Sequence, residues 1–413
     1  MRSSYLKKLA LDWIRMSIQT EILPISMLSR PARQQDSIRR IFWIVNHKTL
    51  MSGEVPLLRS LGFEVFVPKV VPMHDRGFRS AGVTYDYDAA LDLAPAALRV
   101  LNHENFFERC WAPTVTEIIN RYFDVIVCHF TYYTTPLREA AVKFQGLLIA
   151  RAFGREHPRT YGEFRTWVPH PSLLEDIRSL GRRFIFAQAY DNLAEIEEFA
   201  LSSRAHTITV PLPKFTFKHA NTWTGTGSNA LFLCPAIADG GYYKSTYLAI
   251  KRDFGDLPHV IFGSQTGPVS DPVVLPYLSD DALVDLYRST PVFIYSSPEP
   301  RHVHYSPLEA MVVGTPVLYL EGGLIDRLAG TRLPGACANV LEMKTKARRL
   351  IEGDRALAEA IRSNQARVLE TFAPEVVRRQ WAAALFGGAQ SSLNEPVVEL
   401  SQGETSFLPR ERP

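Results

Sequence analysis

At 413 residues the chain is too long for one compact core and fits roughly two domains of 150–200 residues. Its 46% hydrophobic and 22% charged residues are those of a globular protein, which excludes a disordered, collagen-like or coiled-coil chain. The 46 Lys and Arg against 43 Asp and Glu leave a net charge of only +3, so no nucleic acid is expected as a partner. Cys110, Cys128, Cys234 and Cys337 lie far apart with no C-x-x-C pair, which argues against a zinc ribbon or disulfide framework and for a reducing, cytoplasmic compartment.

The first 38 residues form a basic leader. Residues 1–40 carry eight Lys or Arg against only Asp12, Glu21 and Asp36. Leu6, Leu9, Trp13 and Met16 recur at helical spacing with Lys7, Lys8 and Arg15 off the stripe, the pattern of an amphipathic helix. Such a helix can lie on an anionic membrane surface or pack on its own domain. Asp12 and Arg15 break any secretory signal, and no apolar run is long enough to span a bilayer.

From residue 39 short apolar runs alternate with helical patterns. Strands are expected at Ile41–Val45, Glu64–Val67, Asp124–Cys128, Gly146–Ala150, Arg183–Ala187 and His206–Val210, with helices at Val55–Leu61, Val115–Arg121 and Leu193–Leu201 between them. Pro211, Pro213 and the polar run from Asn221 to Asn229 read as a connection over 213–229. The alternation then restarts: strands at Ala230–Cys234, His259–Phe262, Val273–Leu275, Val292–Tyr295 and Pro316–Tyr319, helices at Tyr243–Arg252, Asp280–Arg288 and Pro307–Val313. Lys344–Phe386 is helical with a break near Ala373–Pro374, and 389–413 reads as a disordered tail. The pattern is α/β, with two doubly wound, Rossmann-like domains at 39–212 and 230–388 facing a central cleft.

No G-x-G-x-x-G follows the first strand of either half, and Thr224-Gly225-Thr226-Gly227 precedes a strand instead of following one. Walker and nucleophile-elbow motifs are absent. Asp86-Tyr87-Asp88 has the D-x-D form of some metal sites, and His302 and His304 are one residue apart; neither has the further ligands of a metal site, and no metal is expected.

The informative stretch runs from Tyr295 through Arg301-His302-Val303-His304-Tyr305-Ser306-Pro307-Leu308-Glu309-Ala310-Met311 to Gly314-Thr315-Pro316-Val317. A strand delivers a loop to a helix start, where unpaired backbone N–H groups and the positive end of the dipole suit an anion. Ser306-Pro307-Leu308-Glu309 also has the form of a capping box, with Ser306 as N-cap.

These residues resemble the GT-B glycosyltransferases, in particular the large retaining, sugar-nucleotide-dependent group of bacteria. Pro307–Met311 and Gly314–Val317 match that group's P-L-E-A-M-x-x-G-x-P-V, and Leu278–Arg288 is similar to the helix that precedes it. The likeness covers about 231–386. It implies that Glu309 accepts from the ribose hydroxyls of a nucleotide-activated donor, with Tyr305 and Ser306 beside it, and that Lys244 binds the diphosphate. The position eight residues before Glu309, a glutamate in most members, is Arg301 here. Its fork suits a phosphate or an acidic sugar.

The resemblance implies metal-independent transfer of a sugar, with retention of configuration, from a nucleotide sugar to a carbohydrate or lipid-linked glycan acceptor, in bacterial surface polysaccharide or glycolipid assembly. No cofactor beyond the donor is required. Arg301 and His304 are aimed at the leaving phosphate, and His129, closing the strand Asp124–Cys128, is the candidate base on the acceptor side, with His47 as a second. Arg151 and Arg155 are candidate acceptor contacts, and Tyr132 and Tyr133 candidate stacking residues. A sugar-nucleotide epimerase or hydrolase, or a nucleotide-sugar-binding protein without catalysis, are the alternatives.

Overall fold

The computed structural model describes residues 39–70, 91, 93–130, 134–155, 158–163 and 172–387. The basic leader, the D-x-D at Asp86 and Asp88, Tyr132, Tyr133 and the C-terminal tail lie outside the described residues. None of the described helices is long and apolar enough to cross a membrane.

Two parallel sheets organise the chain. The first contains β1 (Arg40–Trp43), β2 (Glu64–Phe66), β3 (Val125–His129), β4 (Leu147–Ala152), β5 (Phe184–Gln188) and β6 (Ala205–Thr207), in the order β2-β1-β3-β4-β5-β6. The second contains β7 (Ala230–Leu233), β8 (His259–Phe262), β9 (Phe293–Tyr295), β10 (Val317–Leu320) and β11 (Ala336–Cys337), in the order β11-β10-β9-β7-β8. Every strand pair is parallel. Strands such as β3 and β5 are buried along their whole length, as sheets covered by helices on both faces require.

The helices that matter for the site are α1 (Lys48–Ser60), α2 (Gly241–Phe254), α3 (Asp280–Ser289), α4 (Tyr305–Val313), α5 (Leu324–Ala329) and α6 (Pro374–Phe386). Pro374 opens α6 after Ala373, and α6 packs on the first sheet. Phe386 stacks on Phe63 at 5.7 Å between ring centroids, and Gln380 Oε1 accepts from the Thr209 amide at 2.8 Å.

Local structure departs from the sequence expectation at a few points. Val273–Leu275 forms only an isolated bridge, Val274 to Ile261, whereas the two-residue β11 does pair with β10. Leu193–Leu201 splits into two short turns of helix. Helix α4 starts at Tyr305 instead of Pro307: its N-cap is His304, so Ser306 and Glu309 do not form the capping box. Tyr295 decides this start, because its hydroxyl accepts from the His304 amide at 3.3 Å and fixes the residue before the helix.

Inside the first half sits a fully buried ion pair. Arg151 on β4 meets Glu54 on α1 at 2.7 Å, both side chains 0% exposed. Arg151 also donates to the carbonyls of Ala187 and Ile208, and the Trp43 indole donates to Glu54 at 3.0 Å. Its guanidinium lies over the rings of Phe153 and Trp381, tying α6 to the sheet. Removing one member of such a pair strands the other charge. Glu54→Ala is therefore expected to lower stability by about 3–5 kcal/mol in urea titrations, against less than about 1 kcal/mol for Arg178→Ala at an exposed pair.

Candidate functional site

The carboxyl ends of the two sheets face one cavity of about 240 Å³. His47 and Thr49 after β1, Phe153 after β4 and Tyr190 after β5 form one wall. Pro235 after β7, Gly263 and Ser264 after β8, Tyr243 on α2, and the segment from His302 to Ser306 form the other. Ligands of doubly wound sheets sit at this end of the strands. Gly263 has φ +139°, and a Cβ there would lie 2.7 Å from the Pro235 nitrogen, so only glycine lets the loops after β7 and β8 close the floor.

One close contact sets the halves against each other. Gly154, at φ +96°, faces the carbonyl of Arg301 so tightly that no Cβ fits between them. Beside it, Asn192 Nδ2 donates to the Pro300 carbonyl at 2.8 Å, and Arg327 on α5 reaches Asp191 and Glu195.

The structure brings four of the expected residues, His47, His304, Tyr305 and Ser306, onto the cavity wall. His304 Nδ1 lies 3.1 Å from the Tyr295 hydroxyl and Nε2 3.4 Å from that of Tyr243. The ring of His302 stands edge-on to it, 4.8 Å between centroids. The Tyr305 ring lies 5.9 Å from that of His47, bridging the halves. Its hydroxyl is buried without a hydrogen-bond partner among the described residues, and desolvation raises its pKa well above the usual value.

The other candidates lie elsewhere. Lys244 is exposed on α2, its Nζ 5.3 Å from the Tyr247 ring centre, and does not line the cavity. Arg301 is buried in the seam, where its charge acts on Glu197. Burial raises the Glu197 pKa, and the Tyr161 and Gly162 amides, Arg155 and Arg301 oppose that rise. His129 is buried at the end of β3, 6.3 Å from the Phe153 ring, and is not part of the wall. Glu309 is 0% exposed, its Oε2 accepting from the Tyr287 hydroxyl at 3.1 Å. Arg151 is no acceptor contact, because its charge is spent inside the sheet on Glu54. Arg155 donates to the Thr160 carbonyl at 2.7 Å.

Sequence reasoning also placed His302 with Arg301 and His304 as donors around the helix start, and His302 lies on the wall; it overlooked Tyr243 and Phe153. His302, Val303 and His304 all line the cavity, and the two imidazoles stand 4.8 Å apart there.

Among the described residues the wall carries no Lys, Arg, Asp or Glu. Its titratable groups are histidines and tyrosines. Burial pulls His47 and His302 down to about 4 and His304 to about 3, the last helped by His302. His129 is likewise near 3, by burial and the nearby His47. All four are neutral at pH 7. Among the described residues no group of three or more His, Cys, Asp or Glu is placed to hold a metal ion.

No family model matches the sequence, and no curated protein matches it. Solved structures do. A glycosyltransferase from Rickettsia africae superposes with a TM-score of 0.54 at 12% identity, over 86% of this chain and 100% of that one. Sucrose-phosphate synthase from Thermosynechococcus elongatus gives 0.52 at 13%, over 85% and 100%. The chain has the GT-B glycosyltransferase fold. Anabaena HepE in complex with UDP-glucose gives 0.51 at 14%, over 84% and 99%.

The neutral histidines set a pH dependence. Unfolded, each titrates near 6.5, whereas folded His47, His129, His302 and His304 stay neutral down to about 3–4. Below about pH 6.5 the unfolded chain binds more protons, so stability falls as pH falls, by up to about 1.4 kcal/mol per pH unit for each histidine. Urea midpoints are expected to be flat from pH 7 to 8 and to drop steeply from pH 6.5 to 5, with a shallower drop in His129→Gln.

Proposed function

We propose that the chain transfers a glycosyl group from a nucleotide-activated sugar to a hydroxyl of a carbohydrate or lipid-linked glycan. One observation carries this reading: the start of α4 and its two flanking histidines open onto a cavity between the carboxyl ends of two parallel sheets. The GT-B fold and the UDP-glucose held by Anabaena HepE support a uridine-type donor. In the reaction the bond from the anomeric carbon to the β-phosphate oxygen breaks, the acceptor oxygen bonds to that carbon, and the acceptor hydroxyl passes its proton to an oxygen of the leaving diphosphate. The amides of Tyr305 and Ser306 and the dipole of α4 meet the charge that gathers on the leaving diphosphate. The apolar wall keeps water from the oxocarbenium-like centre.

His47, a candidate base in the sequence, is the wall residue on the acceptor side suited to hold the acceptor hydroxyl. Its Nδ1 accepts from the Leu50 amide at 3.2 Å, so the neutral ring carries its proton on Nε2 and donates from there to the acceptor oxygen instead of taking its proton. Retention of configuration and a role in bacterial polysaccharide assembly rest on the sequence resemblance. Incubation with UDP-, ADP- and GDP-sugars decides: nucleotide release that requires an acceptor supports transfer, release without one supports hydrolysis, and binding without release supports a non-catalytic protein.

In this proposal Glu309 accepts from the ribose hydroxyls, which requires the turn around Leu308 to yield, since the carboxylate is wholly buried and held by Tyr287. Wild type is then expected to bind 2′-deoxy-UDP-glucose about tenfold or more weakly than UDP-glucose, a charged hydrogen bond being worth about 1.5–3 kcal/mol. Glu309→Gln is expected to lose most of that discrimination. Equal affinities in wild type would leave Glu309 as the anchor of Tyr287 only.

A further inference from the structure

We propose that the His302–His304 pair is the charge partner of the donor's diphosphate, and that the pair takes up one proton as the nucleotide binds. The inference rests on the nucleotide-sugar reading above and goes beyond it in naming the groups and the linkage.

The argument begins with what the wall lacks. A nucleotide diphosphate brings two negative charges, and no Lys or Arg among the described residues lines the cavity to meet them. Lys244 points to solvent over Tyr247, and Arg301 acts on Glu197 in the seam. The dipole of α4 supplies a partial charge only. What does stand at the start of α4 is a pair of imidazoles 4.8 Å apart, both on the wall.

The surroundings suit a switchable charge. Tyr243 from α2 and Tyr295 from β9 face His304, with Tyr242 packed 5.2 Å from Tyr243. From the first half come the rings of Tyr305's neighbour His47 and of Phe153. On its own segment His304 faces His302, and behind them Glu299 accepts from the Arg301 amide. Among the described residues, none of the groups facing the pair across the cavity is an acid or a fixed cation. In the empty cavity desolvation holds both rings neutral, near 4 and 3. A phosphate within about 4–6 Å reverses that preference, because an opposite charge stabilises the protonated ring. Two imidazolium rings at this separation repel each other, so the pair gains one proton and not two. The Tyr295 hydroxyl then accepts from His304 Nδ1–H, while Nε2–H is left to turn from Tyr243 to the phosphate.

The consequence is proton-linked affinity. The pair's pKa is low when free and raised when bound, so binding tightens as pH falls through the bound-state value. UDP-glucose is the probe, because both its phosphates are esterified and its charge is constant from pH 5.5 to 8. Calorimetry at pH 6.5 in buffers of different ionisation enthalpy is expected to show uptake approaching one proton. The dissociation constant is expected to fall by up to tenfold per pH unit of acidification within that range. His304→Gln and His302→Gln are each expected to abolish most of the uptake and flatten the pH profile; if one fails to fold by circular dichroism, the other carries the test. UDP-glucose binding without proton uptake, or unchanged uptake in both variants, overturns the proposal while leaving the nucleotide-sugar reading intact. Failure of UDP-glucose, ADP-glucose and GDP-mannose all to bind overturns that reading itself, and this inference with it.

Discussion

The site depends on one backbone contact across the seam. Two parallel sheets share a cavity only if the loops leaving their carboxyl ends meet without filling it. Here they meet where Gly154, just past β4, lies against the carbonyl of Arg301. Only a residue without a Cβ permits that approach, and its φ of +96° is one that other residues rarely adopt. The contact is reinforced by Asn192 to Pro300 and by Arg327 to Asp191 and Glu195, all on the same side. It fixes His302–Ser306 opposite His47 and Phe153, so the two walls are set by the backbone instead of by side chains.

From this geometry follows an unusual electrostatic arrangement. The fixed charges lie behind the walls, not on them. Arg151 and Glu54 neutralise each other beneath Phe153, and Arg301 works against Glu197 in the seam. The cavity itself is lined by apolar and aromatic groups with neutral imidazoles among them. A low-dielectric cavity with uncharged but chargeable donors costs little when empty and strengthens each interaction once an anion enters. Tyr305 links the two layers: its ring packs near His47, and its hydroxyl is buried within the fields of Glu54, Tyr190 and Arg151.

Much of the fold was legible in the sequence because both sheets are parallel and covered on both faces. Runs such as Phe42–Ile44, Val125–Cys128 and Phe184–Ala187 have no other place to go than a buried strand. The edges were less legible. Ala336–Cys337 is too short to show a pattern, and Val273–Leu275 is apolar without pairing beyond one bridge. The start of α4 was misplaced because Ser306-Pro307 imitates a cap, whereas the residue that sets it, Tyr295, acts from the neighbouring strand. At the candidate site the motif pointed to the turn of chain at His304, Tyr305 and Ser306, and those residues line the cavity. Charge was a poor guide to the rest. Arg151 was a candidate because it is an arginine near a strand end, and its partner Glu54 comes from a distant helix that only the folded chain brings near. Tyr243 and Phe153 went unassigned because nothing in their own stretches of sequence marks them, and only the folded chain brings α2 and the end of β4 to the cavity.

A structure of the protein with UDP-glucose bound is the most direct measurement of where the donor docks. The account predicts both phosphates in the cavity between the sheets, within hydrogen-bond distance of the first amides of α4 and of at least one imidazole of His302 and His304. A nucleotide seated outside that cavity, or one whose phosphates contact Lys244 and Arg301 while both imidazoles stay remote, would contradict it.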